Sequence, residues 1–161
     1  MARYKMRQKL ISLGEDFTIE DASGKAAFEV DGKVMTLRET FELKDRQGKV
    51  VATIRGRLMS VRGKMDIVRD GETAATVTKA LFAPLRQNFK VEMAAGDDLH
   101  IEGSILDHEY TLRRDDAVIG QVSKKWFTIR DTYGIDVAEG EDDALVLAIA
   151  VALDELASDK D

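Results

Sequence analysis

GEDDALVLAIAVALDEL, residues 140–156, is the one stretch of this chain that cannot be laid down as a half-buried strand. On a wheel of 100° per residue, Leu145, Val146, Leu147, Ile149, Val151, Leu153 and Leu156 point to every side. Ala144, Ala148, Ala150 and Ala152 fill the gaps between them. A helix that is apolar all round has to be buried all round. Glu141, Asp142 and Asp143 stand just before it, where exposed N–H groups and the helix dipole favour negative charge, so the pattern predicts a helix over about 141–157. The apolar run from Ala144 to Leu153 falls well short of the roughly 20 residues a membrane span needs. The helix is therefore expected inside the protein.

Working outward from the helix, residues 1–139 read as short alternating segments. They are punctuated by turn chemistry at Asp21-Ala22-Ser23-Gly24, Asp31-Gly32, Asp45-Arg46-Gln47-Gly48, Arg62-Gly63, Asp70-Gly71, Gly96-Asp97-Asp98 and Asp115-Asp116. Leu43 to Arg55, Ile67 to Lys79 and Leu112 to Lys124 each read as strand, acidic turn, then an apolar strand ending in a basic residue, a weak repeat one hairpin long. Pro84 marks a loop over Leu81–Gln87. At roughly 8 to 12 residues per strand and turn, this length holds about a dozen strands, more than a flat open sheet tolerates, so the sheet is expected to curl and close.

Small barrels fill their interior with their own side chains, whereas eleven or so strands leave room for an axial helix about 10 Å across. The strand estimate and the greasy tail thus point to one architecture: a mainly β, closed antiparallel barrel of about twelve strands (about 3–139) around a hydrophobic C-terminal helix, all in a single domain over 1–161. Seven large aliphatic side chains at roughly 1.5–3 kcal/mol each make the helix worth about 10–20 kcal/mol of burial. That rivals the net stability of a whole domain.

With 44% hydrophobic and 34% charged residues the composition is that of a soluble globular protein. The absence of cysteine excludes a disulfide framework, a thiolate metal cluster and a cysteine nucleophile, and suits a reducing cytoplasm. Met1 to Leu13 lacks the continuous apolar stretch of a secretion signal, and a cytoplasmic location follows as the expectation. The net charge of -6 is unevenly placed: 14 Lys and Arg against 9 Asp and Glu over 1–64, 9 against 11 over 65–130, and 1 against 10 over 131–161. An acidic protein with one mildly basic half is a poor general nucleic-acid binder.

Five stretches carry a family resemblance: GEDFTIEDASGKAAFEVDGK (Gly14 to Lys33), RDGETAATVTKALF (Arg69 to Phe82), LDHEYTLRRD (Leu106 to Asp115), VSKKWF (Val122 to Phe127) and DTYGIDVAEGEDDALVLAIAVALDEL (Asp131 to Leu156). In these the chain resembles the LURP-one-related family of the tubby C-terminal-like superfamily, and in particular its small single-domain prokaryotic members. The resemblance implies a twelve-stranded barrel wrapped around a hydrophobic C-terminal helix. It also implies kinship with phospholipid scramblases and with tubby domains that bind phosphoinositide headgroups. It transfers no binding residue and implies no reaction.

Candidate sites come from the residues alone. Arg3, Lys5, Arg7 and Lys9 alternate with Tyr4, Met6, Gln8 and Leu10, so an extended strand displays four cations on one face. Arg55, Arg57, Arg62 and Lys64 make a second basic cluster around Gly56 and Gly63. Together they form the candidate site for an anionic ligand, such as a phospholipid headgroup or another anionic small molecule, against the plainer reading of solvated surface charge.

The remaining constellations read as structural. Trp126 is expected as a core or barrel-end plug with Lys124 and Lys125 outward, against the reading of a basic–aromatic step at a lipid or nucleotide surface. Asp136, Glu139, Glu141, Asp142 and Asp143 serve helix capping and solubility and lack an EF-hand pattern. Asp107, His108 and Glu109, with His100 nearby, have general-base chemistry but neither a nucleophile elbow nor HExxH spacing, so no catalytic residue, metal or cofactor is assigned. A His108 in an open pocket beside another titratable group would favour an enzyme; a buried, hydrogen-bonded His108 counts against one. The function read from the sequence is a non-catalytic binding module for an anionic ligand, peripheral at a membrane surface without a spanning segment. The alternative is a soluble scaffold or protein-interaction domain with no lipid role.

Overall fold

The structure is a computed structural model that describes residues 2–7, 16–33, 40–56, 63–82, 86–126 and 132–158, with main chain only at 7, 16, 33, 80–82, 86–88 and 158. Twelve strands form one sheet: β1 (Ala2–Arg7), β2 (Asp16–Asp21), β3 (Ala26–Lys33), β4 (Thr40–Lys44), β5 (Val50–Gly56), β6 (Lys64–Arg69), β7 (Glu72–Phe82), β8 (Arg86–Met93), β9 (His100–Ser104), β10 (Glu109–Arg114), β11 (Ala117–Ser123) and β12 (Thr132–Val137). A single helix, α1 (Asp143–Ser158), follows them. The strand order is β8-β7-β6-β5-β4-β3-β2-β1-β12-β11-β10-β9, with antiparallel neighbours throughout. The two terminal strands of this order, β8 and β9, meet through one bridge, Val91 opposite Leu99, so the barrel is nearly closed.

The expected twelve-stranded wall and its enclosed helix are what the structure holds. Leu147, Ile149, Val151 and Leu153 have no solvent exposure, and the inward residues of the wall, among them Ile19, Val30, Leu43, Ile54, Ile67 and Val77, are equally sealed. Asp142 caps the helix: its side chain accepts the Leu145 N–H at 3.2 Å, and its carbonyl accepts that of Val146. The wall approaches the helix closely enough at Gly120 that a Cβ there would lie 3.1 Å from Val146 Cγ1, so a larger residue would push the axle sideways.

The weak sequence repeat has a physical origin. The hairpins β4–β5, β6–β7 and β10–β11 each carry a bulge immediately after Leu43, Ile67 and Leu112, and β2–β3 carries one after Ile19. The extra residue lies on the second strand of each hairpin, Val51, Ala74, Ile119 and Ala27, and it tightens the local twist, which is what a sheet needs in order to roll up. Asp70 and Gly71, both at positive φ (50° and 81°), make the two-residue turn of one such hairpin.

Two punctuation readings shift. Asp31-Gly32 is not a turn but the end of β3, where buried Gly32 stands opposite Phe41 and Asp31 pairs with Lys44 at 3.1 Å. The loop at Pro84 shrinks, because β7 runs on to Phe82 and β8 begins at Arg86; Pro84 itself lies outside the described residues.

Candidate anion-binding face

The alternation of β1 is realised: Tyr4 and Met6 are buried, Lys5 is half-buried and Arg3 faces solvent. The neighbours of β1 then decide what the cations do. Arg3 lies opposite Asp136 of β12 and donates to it from Nε (2.6 Å to Oδ1) and Nη2 (2.9 Å to Oδ2). This bidentate carboxylate raises the Arg3 pKa still further above its ordinary value. The same guanidinium lies 4.2 Å from the centroid of the Trp126 ring, a cation–π contact that holds its plane. On the other flank Lys5 stands opposite Glu20 of β2, 3.4 Å away. Arg3, Tyr4, Lys5, Asp21, Ala22 and Gly24 line a surface cleft of about 330 Å³. Asp21 is part of that cleft as an anion: bonds from Ser23, the Lys25 N–H and Arg46 hold its carboxyl down at about 2.

The second cluster sits elsewhere. Arg55 on β5 and Lys64 on β6 point outward, with Arg55 opposite Asp66, and β2, β3 and β4 separate β5 from β1. Four strand spacings put the two groups about 19 Å apart around the wall. Of the eight basic residues in the candidate set, the structure brings Arg3 and Lys5 together in one cleft and sets Arg55 and Lys64 in another place. It traces only the main chain of Arg7, and Lys9, Arg57 and Arg62 lie outside the described residues.

The acidic residues before the helix are more than solvating charge. Asp136, read from sequence with the solubility group, is 6% exposed because Arg3 and the β1 strand cover it. Glu141 takes two bonds from Arg114 at 3.1 Å, Asp142 pairs with Arg69, and Tyr4 donates to Asp143. The signal that would have found these partners is long-range: Arg69 is 73 residues from Asp142 and Tyr4 139 residues from Asp143.

The VSKKWF stretch, described as far as Trp126, ends β11 and turns at Lys124–Trp126, with Glu109 accepting from Ser123 Oγ and the Lys124 N–H while Trp126 forms the shelf under Arg3. His108 is buried in the β9–β10 turn at a positive φ of 54°. Its Nε2 is 2.7 Å from Asp154 Oδ1 of α1, and since a carboxylate only accepts, Nε2 is the donor. The ring stacks on Tyr133, with centroids 4.2 Å apart. Burial, reinforced by the charge of Asp154, pushes the phenols of Tyr110 and Tyr133 well above their ordinary pKa. Sequence reasoning singled out His108 but not Asp154; the available signal was that Asp154 is the first ionisable residue after ten apolar ones. With His108 enclosed and bonded to Asp154, the geometry is that of a core tie and counts against a catalytic base.

Among the described residues, no group of three or more His, Asp or Glu side chains is arranged to hold a metal ion, and no helix is long and apolar enough to cross a membrane.

Comparison with known proteins places this arrangement among relatives. The family model for LURP-one-related proteins matches residues 2–154. The chain is 31% identical over 149 residues to the uncharacterized protein YxjI of Bacillus subtilis (strain 168), covering 92% of this chain and 90% of that protein. Its fold is similar to the X-ray structure of a protein from Arabidopsis thaliana, with a TM-score of 0.71 at 21% identity over 97% of this chain and 91% of the other.

Proposed function

The chain belongs to the LURP-one-related family, and from that premise we propose that it is a non-catalytic, single-domain binding module. It takes an anionic ligand, such as a phospholipid headgroup, on the outer face of β1 and works from the cytoplasm at a membrane surface. The observation that carries this reading is the cleft in which Arg3 and Lys5 stand side by side, with Arg3 held rigid by Asp136 and Trp126. Nη1 of Arg3 has no hydrogen bond among the described residues and is the donor left for a phosphate. Arg55 and Lys64 add positive charge farther around the wall.

Co-sedimentation with vesicles tests the proposal. Phosphatidylserine-containing vesicles should pull the protein down at low salt, and pure phosphatidylcholine vesicles should not. At ~1 kcal/mol per basic residue near an anionic surface, Lys5→Glu should cost roughly fivefold or more in affinity. Equal sedimentation with both vesicle types, or none with either, removes the lipid role. One observation favours a second reading, a soluble scaffold or protein-interaction domain: both cations of the cleft already hold carboxylates of this chain, which blunts their pull on an outside anion.

A further inference from the structure

We infer that the seam between β8 and β9 is a docking slot for an extended peptide of a partner protein, one that alternates apolar and basic side chains and adds itself to the wall as a further strand. The inference stands apart from the β1 face and does not rest on the anionic-ligand reading.

Three features of the seam carry it. The first is unpaired main chain. Leu99 donates its N–H to the Val91 carbonyl at 3.1 Å, the one bridge between these strands. Main-chain groups turn to the same side of a strand every second residue. Phe89 and Ile101 therefore also turn their N–H and C=O towards the seam, where no ladder partner receives them among the described residues. Lys90 and Glu102 turn the other way, into the ladders with β7 and β10. A row of unpaired donors and acceptors on a sheet edge is a template for another strand.

The second feature is an apolar lining. Phe89 and Ile101 follow the inward parity of Val91 and Leu99, yet they stay half-exposed while Val91 and Leu99 are buried. The inward Ile54, Ile67 and Val77 of the middle of the wall are sealed, whereas Phe89 and Ile101, like Phe17 and Phe28 beside the sparsely paired β1–β2 edge, are only partly covered, so among the described residues an apolar slot stays open between β8 and β9. The turn that follows β9 is drawn inward by the His108–Asp154 bond, which ties this hairpin to the helix rather than to β8.

The third feature is charge. Exposed Glu92, Asp97, Asp98 and Glu102 border the seam, against exposed Lys90 and the Arg113 that reaches Glu102 at 2.9 Å. The surplus of carboxylates suits lysine or arginine on the outer face of the added strand, while its apolar residues enter the slot beside Phe89 and Ile101. The chain's own β1, with Tyr4 and Met6 inward and Arg3 and Lys5 outward, shows that this wall accepts a strand of that pattern.

The probe is a capped octapeptide of alternating lysine and valine, followed by amide hydrogen exchange and chemical shifts on the full chain. In the free protein the amides of Phe89 and Ile101 should exchange faster than those of Lys90 and Glu102, and the peptide should protect them. A peptide of the same sequence N-methylated along one edge, or with glutamate in place of lysine, should bind at least about tenfold more weakly. Glu92→Lys with Glu102→Lys, both on the surface, should weaken binding of the lysine peptide, whereas Lys5→Glu should leave it unchanged. Free amides of Phe89 and Ile101 as protected as their neighbours would show the seam already zipped and overturn the inference. Indifference to N-methylation would do so too, as would a concentration-dependent dimer that buries these amides, which would assign the slot to a second copy.

Discussion

The two ends of α1 are fastened to the wall by different chemistry. At its start, Glu141, Asp142 and Asp143 reach Arg114, Arg69 and Tyr4 near the surface, the Arg69 and Asp142 side chains being 29% and 48% exposed. Near its end, Asp154 reaches His108 with side chains 14% and 6% exposed, beside the stacked ring of Tyr133. Ion pairs that water can reach gain little, because solvent competes for both partners. A buried pair contributes little as a pair, but removing one member strands the other where no water replaces it. The start of the helix is thus held in place by several weak ties, and the Asp154–His108 tie near its end cannot be cut cheaply.

The largest expected effect erases both ends at once. A chain stopped after Gly140 should lose its cooperative thermal transition, since the wall would enclose an empty interior; a truncated chain that still melts cooperatively as a monomer would refute the axle. Next comes the buried end alone. Asp154→Ala should cost about 3 kcal/mol in urea unfolding, and Asp154→Asn, which keeps an acceptor for His108, distinctly less. At the exposed end Arg69→Ala should cost under about 1 kcal/mol. An equal loss at the two ends would dissolve the contrast.

The smallest effect concerns an exposed carboxylate tied by hydrogen bonds. The Asp21 carboxyl is held at about 2 in the folded chain against 3.8 ordinarily, chiefly by the Ser23 hydroxyl, with the Lys25 and Ser23 N–H groups and Arg46 assisting. Its folded pKa is depressed, so its contribution to stability is present above about 4 and is lost as the pH falls through about 2. A carboxyl carbon titration by NMR should place its midpoint near 2, and Ser23→Ala should move that midpoint back up towards 3.8. A midpoint near 3.8 in the unmodified chain would mean that the turn does not hold the carboxylate.

Much of the fold was legible residue by residue. Leu43, Ile67 and Leu112 announced their hairpins because inward apolar positions recur every two residues, and 140–156 announced a buried helix because no polar stripe interrupts it. Asp31-Gly32 misled, since the same dipeptide that closes a hairpin also fits the end of a strand where Gly32 faces Phe41. The basic stripe was legible as far as its geometry: Arg3 and Lys5 do point outward. Their charge balance was not, because Asp136 is 133 residues from Arg3 and becomes its partner only when β12 lies down beside β1. His108 was visible as a titratable residue; the bond that explains it comes from Asp154, on a helix 46 residues away.

The chain's order of residues was enough to say that its tail is helical, that this helix must be enclosed and that a dozen strands must do the enclosing, because periodicity and turn chemistry are settled among near neighbours. Which cations keep a donor to spare and where the wall fails to zip were settled by assembly. An ion pair depends on what stands across the ladder, and closure depends on how the terminal strands β8 and β9 meet after ten others have set the curvature.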